Sequence, residues 1–567
     1  MRFLGICNGE TSSVCLFENG KLIAAASEER FTRIKMDSSF PINAIDWIFK
    51  EFDLDFTKID QIAYSWKKGF PEDLLTHYLN KSSSLALTNT VSHSIYLERI
   101  KIELERDQIQ YKYMEDWIKK IYPSFKKPIK SFFHHESHAG GVALLSPFKK
   151  SSVLTIDGRG DFESLTFYNF DRNKNECLKK VDFCDSSDSL GFFYGRITGL
   201  LGFTPCRHEG KITGLAAYGD PKKAMKLMKK MIDLKNGKIT AFLGDYYRPF
   251  YSNYSKKLID EINSYSREDI AAAAQKHLED LVINYLYCLK NKGLLFSENI
   301  CLNGGVFGNV KLTQKIKDSG LFKNVFVLPQ MGDGGLCLGA ATLAQHQLGI
   351  SVSEVLSMNL GVKIHNQSIL DDYSNNNNFI ILKLDKSEIV SRMCADLENK
   401  QVVGFVRDRM EFGPRALCNR SIIFGTSDKT VNDWLNKRMK RNEFMPFAPV
   451  IRIEDCKKSF KNFNTADRTL KFMTSTVNCT NEFAKKCPAV THIDMTARPQ
   501  VISKISDNLM WLILTKWVKK TGQLSLINTS FNRHEEPIIC NEKEALNSLV
   551  DGMIDVLYTD NLRIVLR

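Results

Sequence analysis

Residues 134–138 read His-His-Glu-Ser-His, and an apolar run at 152–156 is followed by Asp157-Gly-Arg-Gly-Asp161. On a helix, His134 and His138 stand one turn apart on the same face. Two imidazoles and the carboxylate of Asp157, at the end of a strand, could therefore converge on one cation, which points to a metal-dependent enzyme. The same spacing also arises by chance, and an Asp after a strand also closes turns. A second acid in a glycine turn, Asp333 in Gly332-Asp333-Gly334-Gly335, opens a small-residue helix at 336–344. Its plainest role there is that of an N-cap.

A second set of chemical residues lies toward the C-terminus. A strand at 402–406 leads into Arg407, Arg409 and Glu411-Phe-Gly-Pro-Arg415-Ala-Leu-Cys-Asn-Arg420, followed later by Lys437-Arg438-Met-Lys440-Arg441, Arg498 and Asn528-Thr-Ser530. The planar fork of arginine matches phosphate oxygens two at a time, whereas a solvated helix face is served equally by lysine. Arg415 and Arg420 sit in a Gly-Pro-flanked turn, and the small polar groups of 528–530 follow an apolar strand at 524–527. An anion or nucleotide pocket is expected, against a structural salt-bridge network as the competing explanation.

These residues need a scaffold. Residues 2–7, 13–17 and 21–26 read as three strands, the last two joined by the hairpin pair Asn19-Gly20. A second glycine-bounded strand set at 152–156 and 164–168 suggests a duplicated α/β core, whose strand ends are phosphate-handling positions. Residues 42–130 read as mostly helical, 222–290 carry long charged helical patterns, and 299–302 is a further strand. The domain boundary is expected in 350–385, where periodicity weakens and the polar tract Ser374 with Asn375 to Asn378 interrupts the chain. The loop-rich stretch 60–130 and the segment at 230–265 are where ligand specificity is expected to reside.

The 567 residues allow two or more domains, and the 43% apolar content suits a soluble protein. No stretch approaches the roughly 18–20 uninterrupted apolar residues of a membrane span, and the first residues enter a strand without a signal-peptide layout, so a cytoplasmic protein is expected. Fourteen cysteines occur without a CxxC pair, which argues against thiol zinc or a disulfide framework. The 78 basic against 65 acidic side chains would tolerate nucleic acid, yet lysines cluster in short pairs such as Lys126-Lys127, and no arginine and aromatic stripe for stacking bases is seen. A nucleic-acid partner is therefore not expected.

Taken in order, these strings resemble the O-carbamoyltransferase family of nodulation-factor and antibiotic tailoring enzymes. The resemblance runs over nearly the whole chain, through Ser27-Glu28-Glu29-Arg30, His134 to His138, Ser189-Leu-Gly-Phe-Phe-Tyr194, Glu209-Gly-Lys211-Ile-Thr-Gly-Leu-Ala216, Gly304-Gly305, Gly332-Asp333-Gly334, Glu411-Phe-Gly-Pro-Arg-Ala-Leu417, Pro446-Phe-Ala-Pro449 and Asn528-Thr-Ser-Phe-Asn532. It implies an α/β protein with a duplicated actin-like ATPase (ASKHA) domain over 1–360, similar to the universal tRNA threonylcarbamoyl-transfer protein, and an α/β YrdC-like domain over 385–567. It implies that the C-terminal domain joins carbamoyl phosphate to ATP as carbamoyl adenylate with loss of pyrophosphate. The N-terminal domain would then pass the carbamoyl group to a hydroxyl of a small-molecule acceptor such as a sugar or natural product. A tRNA-modifying transferase and a non-catalytic nucleotide or ligand sensor are the alternatives.

The family's metal, commonly iron, would be held by residues matching His134, His138, Asp157 and Asp333. The donor set alone leaves Fe(II), Mn(II), Zn(II) and Mg(II) open. By the same resemblance Glu209, Lys211, Gly304, Gly305 and Asn309 would serve the nucleotide or carbamoyl group in the first domain, with Lys211 a catalytic cation. Arg415, Lys440, Arg441, Arg498, Asn528 and Ser530 would contact nucleotide and carbamoyl phosphate in the second, with Arg415 catalytic; homodimers are the family tendency. Two departures stand out. Where the family usually has His-Asp the chain has Glu10-Thr11, so Glu10 would have to act as the base, and the usual Arg before Pro-Phe-Ala-Pro is Met445.

Overall fold

The structure, a computed structural model, describes residues 1–567 except 70, 71, 124, 126, 128, 374–377 and 442–445. Met445, Lys126 and most of the polar tract at 374–378 thus lie outside the described residues. The chain divides into two compact units, Met1–Ala24 with Ser38–Val355 and Ala25–Asp37 with Leu356–Arg567.

The first unit contains two five-stranded sheets with the same wiring. In one, Arg2–Cys7 lies between antiparallel Ser13–Glu18 and parallel Gln61–Tyr64. In the other, Lys150–Gly160 lies between antiparallel Glu163–Asp171 and parallel Asn299–Asn303. Leu4, Ile6, Leu154 and Ile156 are fully buried, as expected where helices cover both faces of a sheet and strands read as near-continuous apolar runs. The strand that carries Asp157 does not end there. It runs on to Gly160, with an irregular register between Ile156 and Gly160, so Asp157 occupies a bulge rather than a strand end.

Two small-residue helices, His134–Leu144 and Leu336–Gln347, pack against these sheets. They cross so closely that a Cβ on Gly339 would lie 1.8 Å from the Ser137 carbonyl oxygen, which no other residue type tolerates. Residues 72–121 are not loop-rich: Glu72–Thr88 and Thr90–Ile121 are helices. The insertion at 230–265 forms a two-stranded ribbon, Ile232–Lys235 with Lys238–Ala241, and the helix Lys256–Ile262. Among the described residues no helix is long and apolar enough to cross a membrane.

The second unit is built on an eight-stranded sheet in the order Phe379–Lys383, Leu562–Leu566, Val556–Tyr558, Val403–Val406, Arg420–Phe424, Ser525–Ser530, Ala448–Arg452, Gln500–Ile502. Alternate residues serve two cores: Ile423 and Leu526 pack with the helices Lys386–Glu398 and Asn508–Thr521, while Ile422 and Ile527 pack with Val431–Arg438 and Glu542–Val550. The stretch 350–385 is more than a linker. It contributes Asn359–Lys363, Asn366–Tyr373 and the edge strand Phe379–Lys383, whose half-exposed pattern is why the periodicity weakens there.

Arg420 heads a strand instead of lining an anion turn. It is fully buried and donates to the carbonyls of Arg407 (2.7 Å), Val362 (2.7 Å), Asn419 (3.0 Å) and Cys540 (3.2 Å). Arg420→Leu would leave these acceptors unmet in the interior. Each unmet acceptor costs about 1–3 kcal/mol, so urea unfolding should show a loss of roughly 3 kcal/mol or more. A loss below about 1 kcal/mol would mean that water replaces the guanidinium.

Candidate functional site

In the first unit the helix His134–Leu144 starts on two imidazoles one turn apart. The His134 backbone N–H donates to Asp161, and Asn303 Nδ2 donates to the His138 carbonyl at 2.7 Å, which fixes the helix end against both neighbouring strands. A Cβ on Gly160 would meet the His134 ring at 2.2 Å, so only glycine lets the imidazole seat there. His135, between them, is spent on structure, with Nδ1 2.6 Å from Thr155 Oγ1 and Nε2 3.2 Å from the Glu163 carbonyl.

Asp157 and Asp333 complete the cluster. His138 Nε2 lies 3.0 Å from Asp157 Oδ2 and 3.8 Å from Asp333 Oδ1; His134 Nε2 lies 3.6 and 3.7 Å from the same oxygens. Asp333 sits in the short turn Asp333–Gly335 and provides no side-chain cap to the helix that follows, so the N-cap role does not apply. All four ligand atoms lie within 4.8 Å of one another. Tetrahedral ligands about 2.1 Å from a metal stand ~3.4 Å apart, close to these separations.

The electrostatics favour a cation. Burial drives His134 down to about 4, keeping it neutral and able to coordinate, and its Nε2 has no hydrogen-bond partner within the protein. Burial alone would raise Asp157, but His134 and His138 outweigh it and hold it well below the carboxylate range. Asp333 is pushed well above that range by burial and by the charges of Asp157 and Glu10. A divalent ion would let both carboxylates ionise together.

The other expected residues of this unit take varied places. A Cβ on Gly305 would lie 3.0 Å from Asp157 Oδ1, and Gly304, at φ +98°, forms the turn against Ile156. Asn309 caps the helix Val310–Asp318 and donates to Gln275 Oε1 at 2.7 Å. Lys211 is only 6% exposed, with Nζ 5.6 Å from the Phe203 ring centre, which rules out a surface ion pair with Glu209. Glu10 Oε1 lies 3.3 Å from Cys206 Sγ; although solvent reaches it, surrounding protein and the Asp157 charge raise its carboxyl. Glu209 accepts the Cys206 backbone N–H at 2.6 Å and is raised by burial to about 7.

In the second unit a buried carboxylate organises the arginine loop, a role that sequence inspection did not assign. Glu411 Oε1 accepts from the backbone N–H groups of Leu417 (2.5 Å), Asn419 (3.3 Å) and Arg420 (3.3 Å), and so shapes the turn that presents Arg415. Burial, then the charge of Arg498, holds Arg415 well below the ordinary arginine range; burial lowers Arg498 to about 10. Asn528, on the strand Ser525–Ser530 and not after it, donates to Ala416 O (3.0 Å) and Gln500 Oε1 (2.6 Å), leaving its buried Oδ1 without a partner. Arg441 donates to Ser530 Oγ (3.0 Å) and Thr529 Oγ1 (3.0 Å), whereas Lys440 is exposed in a left-handed turn.

Comparison with known proteins gives two family matches, Carbamoyltransferase N-terminus over residues 2–342 and Carbamoyltransferase C-terminus over 394–565. An uncharacterized protein of Methanocaldococcus jannaschii, MJ1051, is 32% identical and covers 98% of both chains. Nodulation protein NolNO of Sinorhizobium fredii is 28% identical over 96% of this chain and 76% of its own, and nodulation protein NolO of Bradyrhizobium diazoefficiens 31% over 75% and 77%. The solved structure of HypF from T. kodakarensis aligns with 12% identity and a TM-score of 0.33 over 62% of this chain and 48% of its own, too weak to bear on function.

The cluster leads to a metal-content measurement. Elemental analysis of purified protein should find about one transition ion per chain, falling to near zero in His138→Ala. Gly160→Ala, which touches no ligand atom but displaces His134, should lower the content as well. Retention of the ion in both variants would place it elsewhere.

Glu209 yields a pH signature. Its folded carboxyl keeps a proton up to about 7, while the unfolded chain releases it near 4.3, so stability falls as pH rises through that window. Glu209→Gln should remove this loss. Its stability advantage over the parent should grow by about 2 kcal/mol between pH 5 and pH 8, measured by urea unfolding.

Proposed function

We propose, from the premise that the chain belongs to the carbamoyltransferase family, that it is an ATP-dependent O-carbamoyltransferase acting on a hydroxyl of a small molecule. In the second unit water would release phosphate from carbamoyl phosphate, and an oxygen of the carbamate so formed would attack the α-phosphorus of ATP, expelling pyrophosphate and leaving carbamoyl adenylate. The carbamoyl group would then be transferred in the first unit, read here as an actin-like ATPase fold on the strength of its twice-repeated strand order; the second unit is read as YrdC-like. The observation that carries the proposal is the convergence of His134, His138, Asp157 and Asp333.

A divalent cation held by these four residues would polarise the carbamoyl carbonyl and neutralise phosphate oxygens. Glu10, its carboxyl raised by burial and by the Asp157 charge, is placed here as the group that accepts the proton of the acceptor hydroxyl as the new C–O bond forms. In the second unit, two polyanions must meet with their reacting atoms in line. Arg415 and Arg498, both desolvated and with the charge of Arg498 felt at Arg415, supply concentrated positive charge for that encounter. The orphan Oδ1 of Asn528 is an acceptor suited to the carbamoyl N–H group.

Pyrophosphate release should require ATP and carbamoyl phosphate together and vanish in Arg415→Ala. His138→Ala should retain that release but lose transfer of labelled carbamoyl to metabolites from the native host. Pyrophosphate formed from ATP without carbamoyl phosphate would sink the adenylate step.

A further inference from the structure

Cys206, in the first unit, stands at φ +66°, in the left-handed region that glycine and asparagine occupy readily and other residues seldom enter. Such a conformation persists where the surroundings impose it, and it gathers at functional positions. Here the imposing group is Glu209, the first residue of the helix Glu209–Leu215, whose Oε1 accepts the Cys206 backbone N–H at 2.6 Å.

The half-buried thiol held in this way is directed at Glu10. Cys206 Sγ donates to Glu10 Oε1 at 3.3 Å. Tyr251 is a second hydrogen-bonding neighbour of the thiol. Two glycines seat that ring: a Cβ on Gly158 would lie 2.6 Å from its hydroxyl oxygen, and one on Gly195 would lie 2.5 Å from its Cε1. Tyr251 also packs edge-on against Phe192, with the ring centres 4.8 Å apart. Burial, then the charge of Glu10, pushes the thiol well above its ordinary range, so it keeps its proton and is the donor of the pair.

We propose that Cys206 is the positioning residue of Glu10, its S–H group engaging Oε1 and so aiming Oε2 at the acceptor hydroxyl. The proposal rests on the transfer reaction above and deepens it by naming what orients the base. A carboxylate on a flexible, exposed side chain needs such a partner, because a base works only when held in line with the proton that it takes. In the step, Oε2 takes the hydroxyl proton and the acceptor oxygen bonds to the carbamoyl carbon. The bond from that carbon to the adenylate oxygen breaks, its electron pair leaves on AMP, and the thiol retains its own proton throughout.

Labelled carbamoyl phosphate and ATP, with metabolites extracted from the native host as the acceptor pool at two dilutions, measure transfer per pyrophosphate released by the full chain. Cys206→Gly relaxes the left-handed turn but removes the donor; it should lower transfer about tenfold, by the same factor at both dilutions, which places the loss in turnover and not in acceptor binding. Cys206→Ser, which restores an O–H donor at the same position, should stay within about threefold of the parent. A role in holding the turn alone predicts the reverse order, with the glycine variant as active as the parent. Transfer by Cys206→Gly within about twofold of the parent, a serine variant as slow as the glycine one, or a loss confined to the dilute pool would each overturn the positioning role and leave carbamoyl transfer standing. A parent that transfers no label would overturn the transfer reading and the positioning role with it.

Discussion

Two carboxylates, Asp157 and Asp333, are held against two fully buried imidazoles in a space where their ligand atoms are all within 4.8 Å. Burial and mutual repulsion mean that both acids cannot be ionised there without a compensating positive charge. Much of the first unit serves this arrangement. The helix carrying His134 and His138 and the helix following Asp333 approach to glycine contact, and the bulge at Asp157 turns a strand residue toward them. Any larger side chain at Gly339 or Gly160 would push these four residues apart, so backbone packing and the geometry of the cluster are one constraint.

The second unit meets a problem of opposite sign, positive charge kept in a dry interior. It uses two solutions. Arg420 is surrounded by backbone carbonyls and serves the fold. Arg415 and Arg498 are lowered by desolvation, and Asn528, which donates to Ala416 and Gln500 near each of them in the chain, keeps a buried acceptor without a partner. Glu411 separates the roles, because its carboxylate ties down the backbone between the two arginines of the loop.

Much of this was visible in residue order. The i, i+4 spacing of His134 and His138 specified one helix face, and the opening strands follow from apolar runs and Asn19-Gly20. Other features were hidden. The bulge after Ile156 leaves no mark in the apolar pattern, so Asp157 looked like a strand end; Asp333 looked like a cap because turn glycines and acids occur together at helix starts. His135 reads no differently from its neighbours, yet Thr155 and Glu163 occupy both of its nitrogens.

Composition, periodicity and motif order by themselves determined that this is an α/β protein with a histidine pair on a helix, an arginine-rich C-terminal region and a family likeness running through both. Only the tertiary structure decided how closely Asp157 and Asp333, the acids that the resemblance implied, approach the histidines, that Arg415 and Arg420 have different surroundings, and that Glu411 shapes the loop between them. The reason is physical: helix faces and turns are set by neighbours a few residues apart, whereas charge burial and ligand convergence also depend on segments distant in the chain, as where Asp333 meets His134 and Asn528 meets Ala416.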